Sequence, residues 1–235
     1  PQQSLSRSRP DRAGRAVEPL TLTSLPLFPL GTVLYPGGLL PLRIFEVRYL
    51  DMVRKCHKHD APFGVVALQR GSEVQRPAGD AGPSGDGYAQ EAFDTVGTLA
   101  TITELSAPQP GLLVIRCTGL QRFTVRRSEK LKHGLWVADV ARLAPDAEVP
   151  VPPDLQHVSA ALGKLIRSLQ DRGIPPEDLP MQPPYQLEDC GWVANRWCEL
   201  LNLPLEIKQR MMVLDNPLLR LELVGDMLER NGIRA

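Results

Sequence analysis

The feature that most constrains this chain is a change in the spacing of its apolar residues across the proline-dense stretch APDAEVPVPP at 144–153. From 25 to about 143, apolar and polar residues alternate with a period of two, which puts successive side chains on opposite faces of a strand. Beyond 153 the period becomes 3.6: Leu155, Val158, Leu162, Leu165, Ile166 and Leu169 form one stripe along a helix. One element cannot carry both periods. The pattern therefore predicts an α+β chain, with a β-rich part over 23–145 and helices segregated over 146–235.

Within the first part the alternation predicts strands over 63–68, 96–105, 112–118, 121–126 and 135–142. One helix interrupts them, marked by Ile44, Val47, Leu50, Met52 and Val53. It closes on the basic run Lys55, His57, Lys58 and His59, which suits a helix carboxyl end. Residues 71–92 hold Gly71, Gly79, Gly82, Gly85 and Gly87 with Pro77 and Pro83, a composition expected to form a mobile loop. In the second part the first helix opens after Pro153, with Asp154 as its expected cap, and stops at Gly173. Further helices are expected over 187–201 and 205–214. The last opens at Asn216, has Pro217 at its first turn and ends near Gly232. The expectation is a bundle of about four helices.

Composition removes several function classes. The 235 residues carry 27 basic and 27 acidic side chains, a formal charge of zero, and only 5% are aromatic. A nucleic-acid or membrane role would need a local patch. Apolar runs such as 39–42 and 111–115 are far shorter than the roughly 18 residues a spanning helix needs. Residues 1–22, with Arg7, Arg9, Arg12 and Arg15 and no apolar core of a signal peptide, read as a disordered basic leader. Localisation is then expected to be cytoplasmic. Cys56, Cys117, Cys190 and Cys198 stand apart and read as reduced thiols.

The segment 25–52 reads LPLFPLGTVLYPGGLLPLRIFEVRYLDM. Its ordered string of LPLFPL, YPGG and LPLRIFEVRY resembles the opening of the amino-terminal substrate-binding domain of the Lon protease family. FDTVGTLATITEL at 93–105, GLLVIRCTGLQRFTV at 111–125, WVANRWCELLNLPLEIKQRMM at 192–212 and NPLLRLELV at 216–224 follow in the family's order. The resemblance covers about 25–228 and omits the leader and the glycine-rich loop. It implies a PUA-like β pseudo-barrel followed by a helical subdomain. It also implies a role in recognising unfolded or peptide-like protein segments ahead of an ATPase; a weak homo-oligomer is a separate expectation.

Catalytic machinery of that family is not legible in this sequence, and the expectation is a stand-alone, non-catalytic module. A phosphate-binding loop needs G-x-x-x-x-G-K-[ST], but Gly163 and Lys164 lie inside an amphipathic helical pattern and precede Leu165. Gly82, Pro83, Ser84, Gly85 and Asp86 lack the second glycine and the flanking strand of a nucleophile elbow. Cys56, His57, His59 and Asp60 offer at most two metal ligands on one helical face, so neither metal nor cofactor is expected. Leu25, Leu27, Phe28, Leu30, Tyr35 and Leu40 read as core between turn formers.

The residues singled out for peptide binding are Arg43, Glu46, Arg48, Tyr49 and Trp192. The first four either pair among themselves, as Arg43 with Glu46 on adjoining helical turns, or line a face where a peptide lies. Trp192 falls off the apolar stripe that carries Trp197 and is read as an exposed anchor. An RNA-binding PUA-like module and a small-molecule site in the barrel mouth are the alternatives. No nucleic-acid or membrane partner is expected.

Overall fold

The computed structural model describes residues 21–70 and 90–233. Of the loop expected over 71–92, residues 71–89 lie outside the described residues, as does all of the leader but Thr21 and Leu22; the loop's expected end is corrected, because Ala92 pairs with Arg70 in a short strand. The strands are β1 (Thr21–Leu30), β2 (Leu39–Ile44), β3 (Phe63–Arg70), β4 (Ala92–Phe93), β5 (Val96–Gln109), β6 (Leu112–Lys130) and β7 (Trp136–Arg142). The helices are α1 (Val47–Lys58), α2 (Gln156–Asp171), α3 (Cys190–Leu200), α4 (Leu205–Val213) and α5 (Pro217–Arg230).

Five strands close on themselves in the order β1, β7, β6, β5, β3 and back to β1. All pairings around the ring are antiparallel except β1 with β3, where Leu27 to Leu30 run parallel to Gly64 to Ala67. Closure leaves these five strands without a free edge along the ring, while β2 is added outside it on β6. The expected pseudo-barrel with one inserted helix is thus the observed fold, and helices follow it.

The long strand β6 shows why the alternation folds this way. Leu113, Ile115 and Cys117 point inward and are buried, while Leu112, Val114, Arg116 and Thr118 between them stay half-buried. The segments expected as two strands, 112–118 and 121–126, are one strand because the ladder to β5 continues through Gly119, paired with Ala100. Gly119 is there for close approach: a Cβ on it would collide with the carbonyl oxygen of Tyr35.

α1 seals one end of the barrel with Tyr49, Leu50, Met52, Val53 and Cys56, and Tyr49 stacks on Phe28 with ring centroids 4.0 Å apart. The helix begins at Val47, later than Ile44 as expected, because the pairing of Leu42, Arg43 and Ile44 with Ile115, Val114 and Leu113 holds that stretch extended. The leader boundary also moves. Thr21 and Leu22 already pair with Ala141 and Val140.

The helical half has its own core, built from Val158, Leu162, Val193, Trp197, Leu221 and Val224. That core continues into the barrel through Val33, Tyr35 and Ala67. Asp154 sits within a 3-10 turn, Pro153–Leu155, rather than capping α2. The Asn216, Gly173 and Gly232 signals are as expected, while α3 starts later than 187, at a cap the sequence reading does not name. Asp189 accepts from the Trp192 amide at 2.8 Å to open α3, Asn216 accepts from the Leu219 amide at 3.1 Å to open α5, and Gly173 and Gly232 take positive φ after α2 and α5.

Polar contacts fasten the halves together. The Tyr35 hydroxyl donates to the Lys208 carbonyl at 2.6 Å, and Gln209 Nε2 to the Val96 carbonyl at 2.9 Å. Buried Arg122 of β6 donates to the Met212 carbonyl at 3.0 Å and to Asp215 Oδ1 at 3.0 Å.

Candidate functional site

Between barrel and helices lies a cleft of about 700 Å³. The barrel side is β2 at Leu39, Leu40 and Pro41, β5 at Thr103 and Glu104, and β6 at Arg116, Cys117 and Thr118. The helical side is a turn and strap at 177–182, the end of α3 at Glu199 and Leu200, and Lys208 of α4. β2 pairs with β6 and with no other strand among the described residues, so it is an edge strand, and Pro41 within it fits that position.

The YPGG string at 35–38 builds the inner end of the cleft. Gly37 has a φ of +74°, and its amide bonds the Gly119 carbonyl at 2.8 Å. Arg196 presses against Gly37 and donates to the Pro36 carbonyl at 2.9 Å and to Glu199 Oε1 at 2.6 Å. Glu199 in turn packs on Gly38 so closely that a Cβ there would strike its carboxylate. Burial pushes the Glu199 carboxyl up to about 7, although Arg196 and Lys208 pull it down.

At the outer end, Arg116 crosses from barrel to strap. It donates to the Glu177 carbonyl at 2.7 Å and to Asp178 Oδ1 at 3.3 Å, and stands 3.7 Å from Glu104 Oε2. Buried Leu179 roots the strap.

The cleft offers surface more than reactivity. Burial, with a smaller effect from Cys56, pushes the Cys117 thiol up to about 12, leaving almost no nucleophilic thiolate near neutral pH. Among the described residues no group of three or more His, Cys, Asp or Glu side chains is placed to hold a metal ion. No helix among them is long and apolar enough to cross a membrane.

The residues read from the sequence as peptide contacts lie elsewhere. Arg43, Glu46 and Tyr49 meet around a small dimple of about 70 Å³ with Phe28, Leu30, Leu42, Ile44 and Phe45. Beside it Phe45 is 56% and Val47 77% exposed, unusual for large apolar side chains. Arg43 is on a strand, not a helical turn from Glu46. Arg48 and Tyr49 are turned inward: Arg48 is buried, with Nε 3.1 Å from Glu46 Oε2, Nη2 3.1 Å from Glu91 Oε1 and Nη1 3.0 Å from the Gly134 carbonyl. Trp192 is half-buried on α3, with the Arg196 guanidinium 5.6 Å from its ring centroid and Tyr185 at 6.3 Å. Trp197 is in the core. The groove between the halves is where the sequence leads one to expect an extended chain, but its lining residues are not legible there because they come from seven separated segments. The YPGG string was the one legible signal, and it was read as a corner.

A family model for the ATP-dependent protease La (LON) substrate-binding domain matches residues 24–230. The chain belongs to the LON substrate-binding domain family. The crystal structure of a Lon N-terminal domain protein from Xanthomonas campestris superposes with a TM-score of 0.64 at 30% identity, covering 87% of this chain and 98% of that one. The N-terminal domain of a Mycobacterium avium complex Lon protease shares the fold, with a TM-score of 0.51 at 15% identity over 86% of this chain and 96% of that one. Lon protease of Anaeromyxobacter dehalogenans is 26% identical over 214 residues, and Lon protease 2 of Myxococcus xanthus 25% over 210. Each match covers 88% of this chain and 23% of the protease, so the chain spans about a quarter of the length of these curated relatives.

Proposed function

We propose that this LON-family chain is a non-catalytic recognition module that binds unfolded or peptide-like protein segments in the cleft between barrel and helices. The cleft carries the reading. Its volume of about 700 Å³ lies in the range of functional binding sites. Leu39, Leu40, Leu179 and Leu200 give it apolar surface, and the edge strand β2 gives an extended chain a backbone to pair with. The dimple at Arg43, Glu46 and Tyr49, flanked by exposed Phe45 and Val47, is proposed as a secondary contact for the same segments. Four free, buried cysteines favour a reducing compartment such as the cytoplasm.

Fluorescence anisotropy with a labelled, unstructured apolar peptide tests this. Saturable binding is expected, weakened about tenfold or more by Thr103→Trp, which fills the cleft from an exposed position, and unchanged by Arg127→Ala on a remote exposed strand surface. Absence of saturable binding, or full binding by Thr103→Trp, would remove the reading.

A further inference from the structure

The two ends of the cleft present different charge to a ligand. At the outer end the carboxylates of Glu104 and Asp178 flank the single guanidinium of Arg116, and Glu177, whose backbone carbonyl Arg116 also meets, adds a third acidic side chain to the lining. Those carboxylates are open to water: the Glu104 side chain is 66% and the Asp178 side chain 57% exposed. Arg116 is already engaged by Asp178, the Glu177 carbonyl and Glu104, so it has little left to offer an anion.

The inner end carries no excess of negative charge. Glu199 lines it and bonds Arg196, which is buried behind it, while Lys208 lines it with Nζ turned 3.3 Å from the Glu199 carbonyl oxygen. A ligand therefore meets one carboxylate and one ammonium there. The ends are separated by the run of β6 from Arg116 to Gly119, three residues or about 10 Å, the span of three residues of an extended ligand.

In a chain whose formal charge is zero, this leaves an acidic mouth on an apolar cleft. We propose that the cleft selects apolar peptide segments carrying a basic side chain, with the lysine or arginine seated at Glu104, Glu177 and Asp178. The inference rests on the cleft being the peptide site, and adds which peptides it takes. Complementary charge at an exposed rim discriminates between ligands even where each pair is weak.

The test uses three labelled peptides on the described chain with its full sequence: one apolar and neutral, one with a single lysine replacing a neutral residue, and one with glutamate there. The lysine peptide should bind about threefold tighter than the neutral one, and the glutamate peptide about threefold weaker, at low salt. The spread of about tenfold should collapse in 0.5 M salt and in Glu104→Gln/Glu177→Gln, whose sites are exposed enough to leave the fold intact. Equal binding of all three peptides, or tightest binding of the glutamate peptide, overturns the selectivity while leaving the cleft as a peptide site. Binding of none overturns both.

Discussion

Arg220 of α5 is 1% exposed, and its guanidinium is held on every side. Nη1 lies 2.5 Å from Asp146 Oδ2 and 3.1 Å from Asn195 Oδ1, and Nη2 lies 3.2 Å from Asp146 Oδ1. Nε donates to the Met211 carbonyl at 2.9 Å, and Nη2 also donates to the Leu214 carbonyl. One side chain thus ties α5 to α3, to the α4–α5 link and to the connector after the barrel. Arg220→Ala leaves Asp146 with only Arg122, 3.7 Å away, and leaves two carbonyls without their donor. Breaking a buried pair from one side costs about 3–5 kcal/mol. At this size each kcal/mol moves the melting temperature by about 2–4 °C, so a drop of roughly 6–20 °C is expected. Urea unfolding followed by tryptophan fluorescence reads the loss, since Trp192 and Trp197 lie in the helical half. Adding Asp146→Leu to Arg220→Met should recover part of it, because a well-packed apolar pair avoids the uncompensated charge. A loss below about 1 kcal/mol for Arg220→Ala would refute the idea that this network holds α3, α5 and the connector together.

Two further outcomes test local readings. Gly119→Ala should cost about 2–3 kcal/mol, because its Cβ meets backbone that cannot turn aside, and unchanged stability by urea titration would contradict that close approach. Glu199 has a folded pKa of about 7, above its ordinary 4.5, so between those values the folded chain holds a proton that the unfolded chain releases. Its contribution to stability is therefore lost as pH rises through that window. The shift sets a ceiling of about 3 kcal/mol, lowered by the water that reaches a fifth of the side chain. Glu199→Gln should flatten the fall in urea midpoint from pH 5 to pH 8, and an identical pH profile would count against a buried, strained carboxylate.

Local signals made the helical half largely readable. The Leu155 to Leu169 stripe, Gly173, and the Asn216–Pro217 start are decided within a few residues, and they appear as expected. The alternation in β6 likewise announced strands. Strand partners were not readable, because the parallel pairing of β1 with β3 that closes the barrel joins residues about 37 apart through contacts that neither segment specifies alone. Buried arginines misled for the same reason. Arg48 reads as surface until Glu91 and the Gly134 carbonyl, 43 and 86 residues away, are seen to receive it. The cleft is a property of assembly. Leu40, Arg116, Leu179 and Lys208 carry no shared pattern, and they meet only once the strap and α4 close against the barrel.

The central claim, that protein segments bind between barrel and helices, is tested most directly by photo-crosslinking an unstructured apolar peptide to the chain and mapping the sites by mass spectrometry. The account predicts crosslinks at 39–41, 116–118 and 177–182, competed away by unlabelled peptide. Crosslinks confined to other surfaces, or scattered and insensitive to competitor, would contradict it.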